Sequence, residues 1–229
     1  MFKRPSETAV TVVMDPDSVR ERTRFSVLWQ RCLSGGHALA EAVHSQLIAY
    51  YGESHRYYHT LDHIRHCLNE FDQAVDLMDD PNTVEIALWF HDAIYRSGAT
   101  DNERCSADLF QKWAKGHAEA AFRQQVDDLI MATTHRDEPV RWDQRVIVDI
   151  DLSGFGLPWK AFERNSRQLR AECAAIDDEV YYSGLLRFLV SLQSRPTFFL
   201  TEFFQHRYER TARDNIRWVI ENLQARGYS

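Results

Sequence analysis

TVEIALWFHDAIY, at residues 83–95, is the stretch that decides the fold of this chain. Its apolar residues fall on every side of a helical wheel, which predicts a helix buried in a core. Within it lie His91 and Asp92. Neighbouring helix positions differ by about 100° in direction, so the two side chains can meet one ion at the edge of the helix.

Asp92 needs compensation in such a core. An ionised carboxylate surrounded by apolar groups costs several kcal/mol unless a cation or a network of donors offsets it. With His91 beside it, a metal ion is the simplest compensation. From this doublet alone, the alternative is a buried histidine next to an N-capping or salt-bridged aspartate.

The composition indicates a globular protein that is not suited to long nucleic acids. The chain has 229 residues, 44% of them hydrophobic, which is enough for one large helical domain or two small ones. Its formal net charge is −7, whereas affinity for a nucleic-acid backbone comes from Lys and Arg side chains that displace counterions. A local basic pocket for one phosphate is compatible with this charge.

The cysteines and the N-terminal residues favour a reducing cytoplasm. The four cysteines, at positions 32, 67, 105 and 173, are far apart and form no CxxC pair, which predicts free thiols. MFKRPSETAV, at the N-terminus, lacks the apolar run of a signal peptide. No segment has the roughly 20 apolar residues that span a bilayer. We therefore expect a soluble cytoplasmic protein without a membrane partner.

Helical periodicity and turn residues predict an all-α fold with a single compact domain. We expect a polar N-terminal arm at residues 1–22 and one helical domain at residues 23–229. Helices are predicted at residues 24–33, 37–51, 60–78, 83–95, 101–115, 118–134, 159–176, 179–192 and 211–225. Residues 146–150 have strand propensity, but their surroundings favour the start of a helix or one helical turn. We expect the aromatic segment 197–205 to lie in the core rather than at a dimer contact. The sequence is compatible with a homo-oligomer.

Four further residues can meet an ion beside the doublet. His59 and His63 are four positions apart, which puts them on one face of a helix. Asp149 and Asp151 lie among Val, Ile and Leu in VIVDIDLSGFG, where a buried carboxylate again needs a partner. Capping of a helix N-terminus is the alternative for either aspartate.

The order of these motifs resembles the HD-domain superfamily of metal-dependent phosphohydrolases. The segments YYHTLDHI, ALWFHDAIY, DNERCSA, TTH at residues 133–135 and DIDLSGFG look like a bacterial subfamily described as predicted HD metal-dependent phosphohydrolases. The resemblance covers roughly residues 25–225. It implies an all-helical HD-domain fold with one or two divalent transition-metal ions at its centre, and it implies no particular substrate.

The resemblance also implies roles for the histidines. YHTLDH is similar to the YHxxxH segment of cyclic-nucleotide phosphodiesterases, in which the second histidine binds metal and the first donates a proton to the leaving oxygen. On that basis His63 is the first metal ligand and His59 is the general acid. A simpler alignment makes His59 the ligand instead, and we favour His63. His91 and Asp92 are the second and third ligands.

For the fourth ligand the resemblance favours Asp151, with Asp149 as the fallback. Histidine and carboxylate donors suit Mn, Fe, Co, Ni or Zn, and the sequence does not choose among these metals. His135 is either an additional ligand that makes the site binuclear or a cation that complements the C-terminal dipole of its helix.

Two more residues are candidates for contact with the reaction. Glu103, in NERCSA, is expected to orient water or to support the ligands, and an exposed glutamate at a helix start is the alternative. Arg56 precedes the histidine pair and is our candidate for binding phosphate, because a guanidinium group matches phosphate oxygens bidentately.

Together these residues predict hydrolysis of a phosphomonoester or a phosphodiester, on a nucleotide or another small phosphorylated metabolite. One alternative is a di-iron HD-type oxygenase, which needs both His59 and His135 as ligands. The other alternative is a non-catalytic module that binds a nucleotide and signals to a partner.

Overall fold

The computed structural model describes residues 16–229, and within that range the chain forms ten α-helices and no strand. The helices are α1 (Pro16–Cys32), α2 (Gly36–Tyr51), α3 (Leu61–Ala74), α4 (Pro81–Phe90), α5 (Asn102–Ala114), α6 (Ala120–Ala132), α7 (Trp142–Leu152), α8 (Trp159–Glu172), α9 (Asp178–Gln193) and α10 (Glu202–Ala225). Short 3-10 helices at Val75–Leu77 and Ser153–Gly156 follow α3 and α7. The predicted all-α fold is confirmed. None of the described helices combines the length and the apolar character needed to cross a bilayer.

Helix α4 is the buried helix that the sequence predicts. Asp80 caps it by accepting the backbone N–H groups of Asn82 and Thr83, and Pro81 occupies its first turn. Every residue from Thr83 to Phe90 is buried. The helix contacts α1, α3, α5, α6 and α7, which explains why its apolar residues lie on all sides.

The HD doublet lies just beyond the end of α4 rather than inside the helix. The helix ends at Phe90, whereas the sequence pattern predicts that it continues to residue 95. The backbone N–H of His91 still donates to the carbonyl of Ala87, at 2.8 Å, and Asp92 follows in a turn. Because a turn does not impose the helical separation of about 100° per residue, both side chains can face the same point.

The first and last helices are longer than predicted. Helix α1 begins at Pro16, inside the predicted arm, and buries Phe25 and Trp29 in the core. The remainder of that arm, residues 1–15, lies outside the described residues. Helix α10 begins at Glu202 instead of residue 211. Its polar first turns are helical because one face, with the stacked rings of Phe204 and Tyr208, packs inward.

Two segments with ambiguous sequence patterns belong to the helical core. Residues 146–150 lie inside α7, so the preference for a helix over a strand is confirmed. Phe198, Phe199 and Phe204 are all 0% exposed, which confirms the aromatic segment as core. The side chain of Glu209 accepts the backbone N–H groups of Phe198 and Phe199 and so connects the turn before α10 to the helix itself.

Candidate metal centre

Three parts of the chain bring polar side chains to one buried point. The first turn of α3 contributes His63, the turn after α4 contributes His91 and Asp92, and the last turn of α7 contributes Asp151. The two histidines are 5% and 1% exposed. The two aspartate side chains are 15% exposed, so the cluster is buried on the histidine side and reaches solvent on the carboxylate side.

The ligand atoms of these four residues have the spacing of a coordination shell. The Nε2 atoms of His63 and His91 are 3.3 Å apart. Oδ2 of Asp92 lies 3.4 Å and 3.1 Å from these two atoms, and Oδ1 of Asp151 lies 3.2 Å and 3.6 Å from them. A tetrahedral ion with bonds of about 2.0–2.2 Å separates its ligands by about 3.3–3.6 Å. The distances from each aspartate to the two histidines are therefore compatible with coordination of one ion.

Cys67 adds a sulfur donor that the sequence analysis does not include. It lies one turn after His63 on α3, is fully buried, and places Sγ 3.6 Å from His63 Nε2. One ligand atom from each of His63, Cys67, His91 and Asp151 lies within 4.8 Å of the others, so this group can hold a metal ion. This group does not include Asp92, so Cys67 and Asp92 are alternative candidates for the remaining position, although Oδ2 of Asp92 lies slightly nearer to His63 than Sγ of Cys67 does.

The imidazoles and carboxylates of the cluster shift one another's pKa values in opposite directions. Burial raises the pKa of Asp92 and of Asp151, but the neighbouring imidazoles outweigh burial and hold both pKa values well below the usual range. Burial lowers the pKa of His63 and of His91, and the surrounding acidic groups outweigh it and raise both. When a metal binds, the imidazoles are neutral, and the ion then balances the two carboxylate charges.

The backbone determines which nitrogen of His91 faces the cluster. Its Nδ1 lies 2.8 Å from the carbonyl oxygen of Leu88, which can only accept a hydrogen bond. Nδ1 therefore carries the proton, and Nε2 presents its lone pair to the cluster. This is the arrangement that a metal-binding histidine usually adopts.

His135 contacts the second oxygen of Asp151. Its Nε2 lies 2.9 Å from Oδ2, whereas Oδ1 of the same carboxylate faces His63 and His91. The backbone of His135 has a φ of 55°, a left-handed conformation that is uncommon outside glycine. This conformation follows the end of α6 and brings the ring to Asp151.

A histidine–carboxylate pair adjoins the cluster. His59 Nδ1 lies 2.6 Å from one oxygen of Glu172. The other oxygen of Glu172 accepts the backbone N–H groups of Tyr57, Tyr58 and His59, each at 2.8 Å. The imidazole also stacks on Tyr95, with ring centroids 4.2 Å apart. These contacts hold the ring in one orientation, with Nδ1 toward Glu172 and Nε2 on the other side of the ring.

The geometry separates the two candidates for first ligand. Among the described residues, the group whose ligand atoms lie within 4.8 Å of one another includes His63 and does not include His59. The rings of the two histidines are 6.0 Å apart, so His59 lies next to the cluster rather than in it. Of the two, His63 is the histidine in the group that can hold a metal ion, and the assignment of His59 to proton transfer stays a prediction.

Sequence reasoning missed Glu172. It lies 113 positions after His59, at the end of a polar helix, and no motif marks it. Its side chain is buried, and burial alone would raise its pKa. The hydrogen bonds from His59 and from the backbone outweigh burial and lower the pKa of Glu172 to about 2. An ionised, buried glutamate is the partner that an imidazole needs to stay in place.

Asp149, the fallback ligand, has a structural role instead. It is 0% exposed and accepts three hydrogen bonds, from the N–H groups of Leu200 and Thr201 and from the Thr201 hydroxyl. Burial raises the pKa of Asp149 to about 7, although these donors act in the opposite direction. The carboxylate joins α7 to the turn before α10. It points away from the cluster because residues two positions apart in a helix, as Asp149 and Asp151 are, face different sides.

Arg56 is likewise occupied by the protein rather than available to phosphate. It is 5% exposed, and its Nη atoms donate to the carbonyl groups of His59, Asp92 and Ala93 at 2.7–3.1 Å. Its Nε donates to Glu53 at 3.0 Å. The expectation that Arg56 binds phosphate is therefore corrected. Its hydrogen bonds connect the turn after α4 to the loop that carries His59.

Glu103 lies in the first turn of α5 and is partly buried, so it is not a freely exposed helix-start glutamate. Burial raises its pKa, the Asp92 carboxylate raises it further, and Arg136 and His135 lower it. Its role in orienting water stays a prediction.

No protein-family model, curated protein or solved structure matches this chain. The likeness to the HD-domain superfamily thus stays a prediction from the motifs. The structure by itself shows the cluster, the His59–Glu172 pair and the contacts of Asp149 and Arg56.

Proposed function

We propose that the protein is a metal-dependent phosphohydrolase that acts on a nucleotide or another small phosphorylated metabolite. The observation that supports this most is the set of four donors with the spacing of a coordination shell, which has a restrained histidine directly beside it. A metal centre and an adjacent proton donor are two groups that metal-dependent hydrolysis of a phosphate ester uses.

His63, His91, Asp92 and Asp151 would hold the ion, which when bound lowers the pKa of water and offsets the charge of a phosphate. His59 would protonate the leaving oxygen through Nε2, because Glu172 holds Nδ1. Glu103 would orient water on the carboxylate side. The 15% exposure of both aspartates gives a substrate its access to this side.

The first test is the metal content of the purified protein, measured by elemental analysis beside His63→Ala, Asp92→Ala and His37→Ala. The His37 side chain is 67% exposed and serves as the matched control. We expect one or two equivalents of a transition metal in the parent and the control, and loss of the metal from the other two variants.

A screen of phosphomonoesters and phosphodiesters on the same samples then tests the reaction. We expect turnover that depends on the metal and that Asp92→Ala abolishes while the variant keeps its helical circular dichroism. Full activity of Asp92→Ala would disprove the assignment. Tight nucleotide binding without turnover, across added Mn, Co, Ni and Zn, would favour the non-catalytic module.

One contact favours a second candidate, the di-iron oxygenase. Asp151 faces two histidines with one oxygen and His135 with the other, as a bridging ligand would. That activity would also need His59 as a ligand, whereas His59 Nδ1 is held by Glu172. Two equivalents of iron together with substrate-dependent oxygen consumption would establish the oxygenase over the hydrolase.

A further inference from the structure

A cavity of about 360 Å³ lies between α8, α9 and α10, outside the cluster. Its volume falls within the range of small-molecule sites, about 300–1,000 Å³. Trp218 is 52% exposed on this surface, so the cavity opens to solvent beside it. Aromatic side chains form part of its wall, among them Tyr58, Phe155, Trp159 and Trp218, and three arginines, Arg167, Arg170 and Arg226, also line it.

Polar groups meet at one end of this cavity, next to Gly154. A methyl group at position 154 would lie 3.3 Å from the Tyr58 hydroxyl and 3.8 Å from the Asn165 amide nitrogen, so both groups are near each other. Ser166 donates its hydroxyl to the carbonyl of Phe162. Among residues 16–229, in contrast, the Tyr58 hydroxyl and the Asn165 carboxamide have no hydrogen-bond partner and remain available to a ligand.

We propose that this cavity binds a planar heteroaromatic ring of the nucleobase type. Aromatic walls stack against a flat ring, and a carboxamide with a hydroxyl can pair with the donors and acceptors on its edge. An acyl chain would fill the same volume but would leave the Asn165 and Tyr58 polar groups without partners, which costs binding energy.

Tyr58 links the cavity to the metal centre. Its ring centroid lies 4.9 Å from that of His63 and 5.0 Å from that of His59, while the same residue lines the cavity. Helix α8 forms one wall and ends at Glu172, the partner of His59. The inference rests on the proposed function in one respect: it assigns the phosphate of a nucleotide to the metal centre and the base to the cavity.

The test uses nucleosides, which carry the base without a phosphate. Adenosine, guanosine, cytidine and uridine are titrated into the full-length protein by calorimetry, with ribose 5-phosphate and octanoate as comparison probes. The variants are Asn165→Ala and Trp218→Ala. Arg164→Ala, an exposed change at the neighbouring position of α8, is the control.

We expect at least one nucleoside to bind, about tenfold more weakly in both cavity variants and unchanged in the control, since a tenfold loss corresponds to about 1.4 kcal/mol, the size of one hydrogen bond or one stacking contact. Trp218 is half exposed, so its replacement tests the cavity without threatening the core. Absence of binding by all four nucleosides, equal affinity in all the variants, or binding of octanoate instead would overturn the proposal.

Metal content and phosphate-ester hydrolysis are measured on the same samples, so the two proposals fail separately. Intact metal and hydrolysis without nucleoside binding would reject the cavity site alone. Nucleoside binding that depends on Asn165, in a protein without metal or hydrolysis, would support the cavity site and reject the phosphohydrolase.

Discussion

Replacing Glu172 by Gln removes one charge from the pair that holds His59, with almost no change in shape. The amide oxygen can still accept the N–H groups of Tyr57, Tyr58 and His59, but the amide nitrogen cannot accept from His59 Nδ1. The variant therefore separates the charge of Glu172 from its packing. Glu221→Gln, an exposed change on α10, is the matched control.

The effect of Glu172→Gln on stability follows from the pKa of the glutamate. A pKa lowered from 4.5 to about 2 is equivalent to about 3 kcal/mol at most, of which solvent screening leaves about 2 kcal/mol. Because the pKa is depressed in the folded state, this stability is present above about pH 5 and is lost as the pH falls toward about 2. Urea unfolding at about pH 7 should show the full difference from the parent, and at about pH 3 a smaller one.

The same variant should lower kcat by about 10- to 100-fold and leave the metal content unchanged, because Glu172 orients the proton donor and touches no ligand of the cluster. Two outcomes would refute this reasoning. One is a stability difference that does not change between about pH 7 and about pH 3. The other is a Glu172→Gln enzyme with the turnover of the Glu221→Gln control.

Three further predictions follow from individual contacts. Asp149→Ala should lower the free energy of unfolding, measured in urea, by about 3–5 kcal/mol, because three donors lose their buried acceptor. The variant should retain bound metal, and loss of metal at unchanged stability would contradict the structural role. If Asp92 rather than Cys67 binds the ion, the Co²⁺-loaded parent protein should lack a thiolate-to-cobalt absorption band, and the Asp92→Asn variant should show one. A band in the parent protein would show that Cys67 is the ligand. His135→Ala should reduce a two-equivalent metal content to one by elemental analysis, and an unchanged content would exclude His135 from the second site.

Much of the fold is readable from local pattern. The apolar residues of 83–90 are buried on all sides, and the helix that contains them is the central α4. The helical reading of residues 146–150 and the core position of Phe198, Phe199 and Phe204 are also confirmed. These features depend on short-range periodicity and on hydrophobic burial, which neighbouring residues largely determine.

Helix ends were harder to predict because they depend on what packs against them. Apolar residues continue to Ile94, yet α4 ends at Phe90 and the polar doublet follows in a turn. Helix α10 starts at Glu202 because Phe204 and Tyr208 find partners in the core, and this is not visible in the polar sequence around them. Tertiary contacts thus override local propensity at both places.

By itself, the sequence determined that the protein is helical and that it carries candidates for a buried metal site in the histidines 59, 63 and 91 and the aspartates 92, 149 and 151. The choice of His63 and Asp151 among them followed from the resemblance. Only the tertiary structure decided what each polar residue contacts. It brings Cys67 to the cluster and Glu172 to His59 across 113 positions, and it directs Asp149 and Arg56 to backbone groups. The physical reason is that a buried polar group must find its partner in three dimensions, and the partner that satisfies it is often far away along the chain.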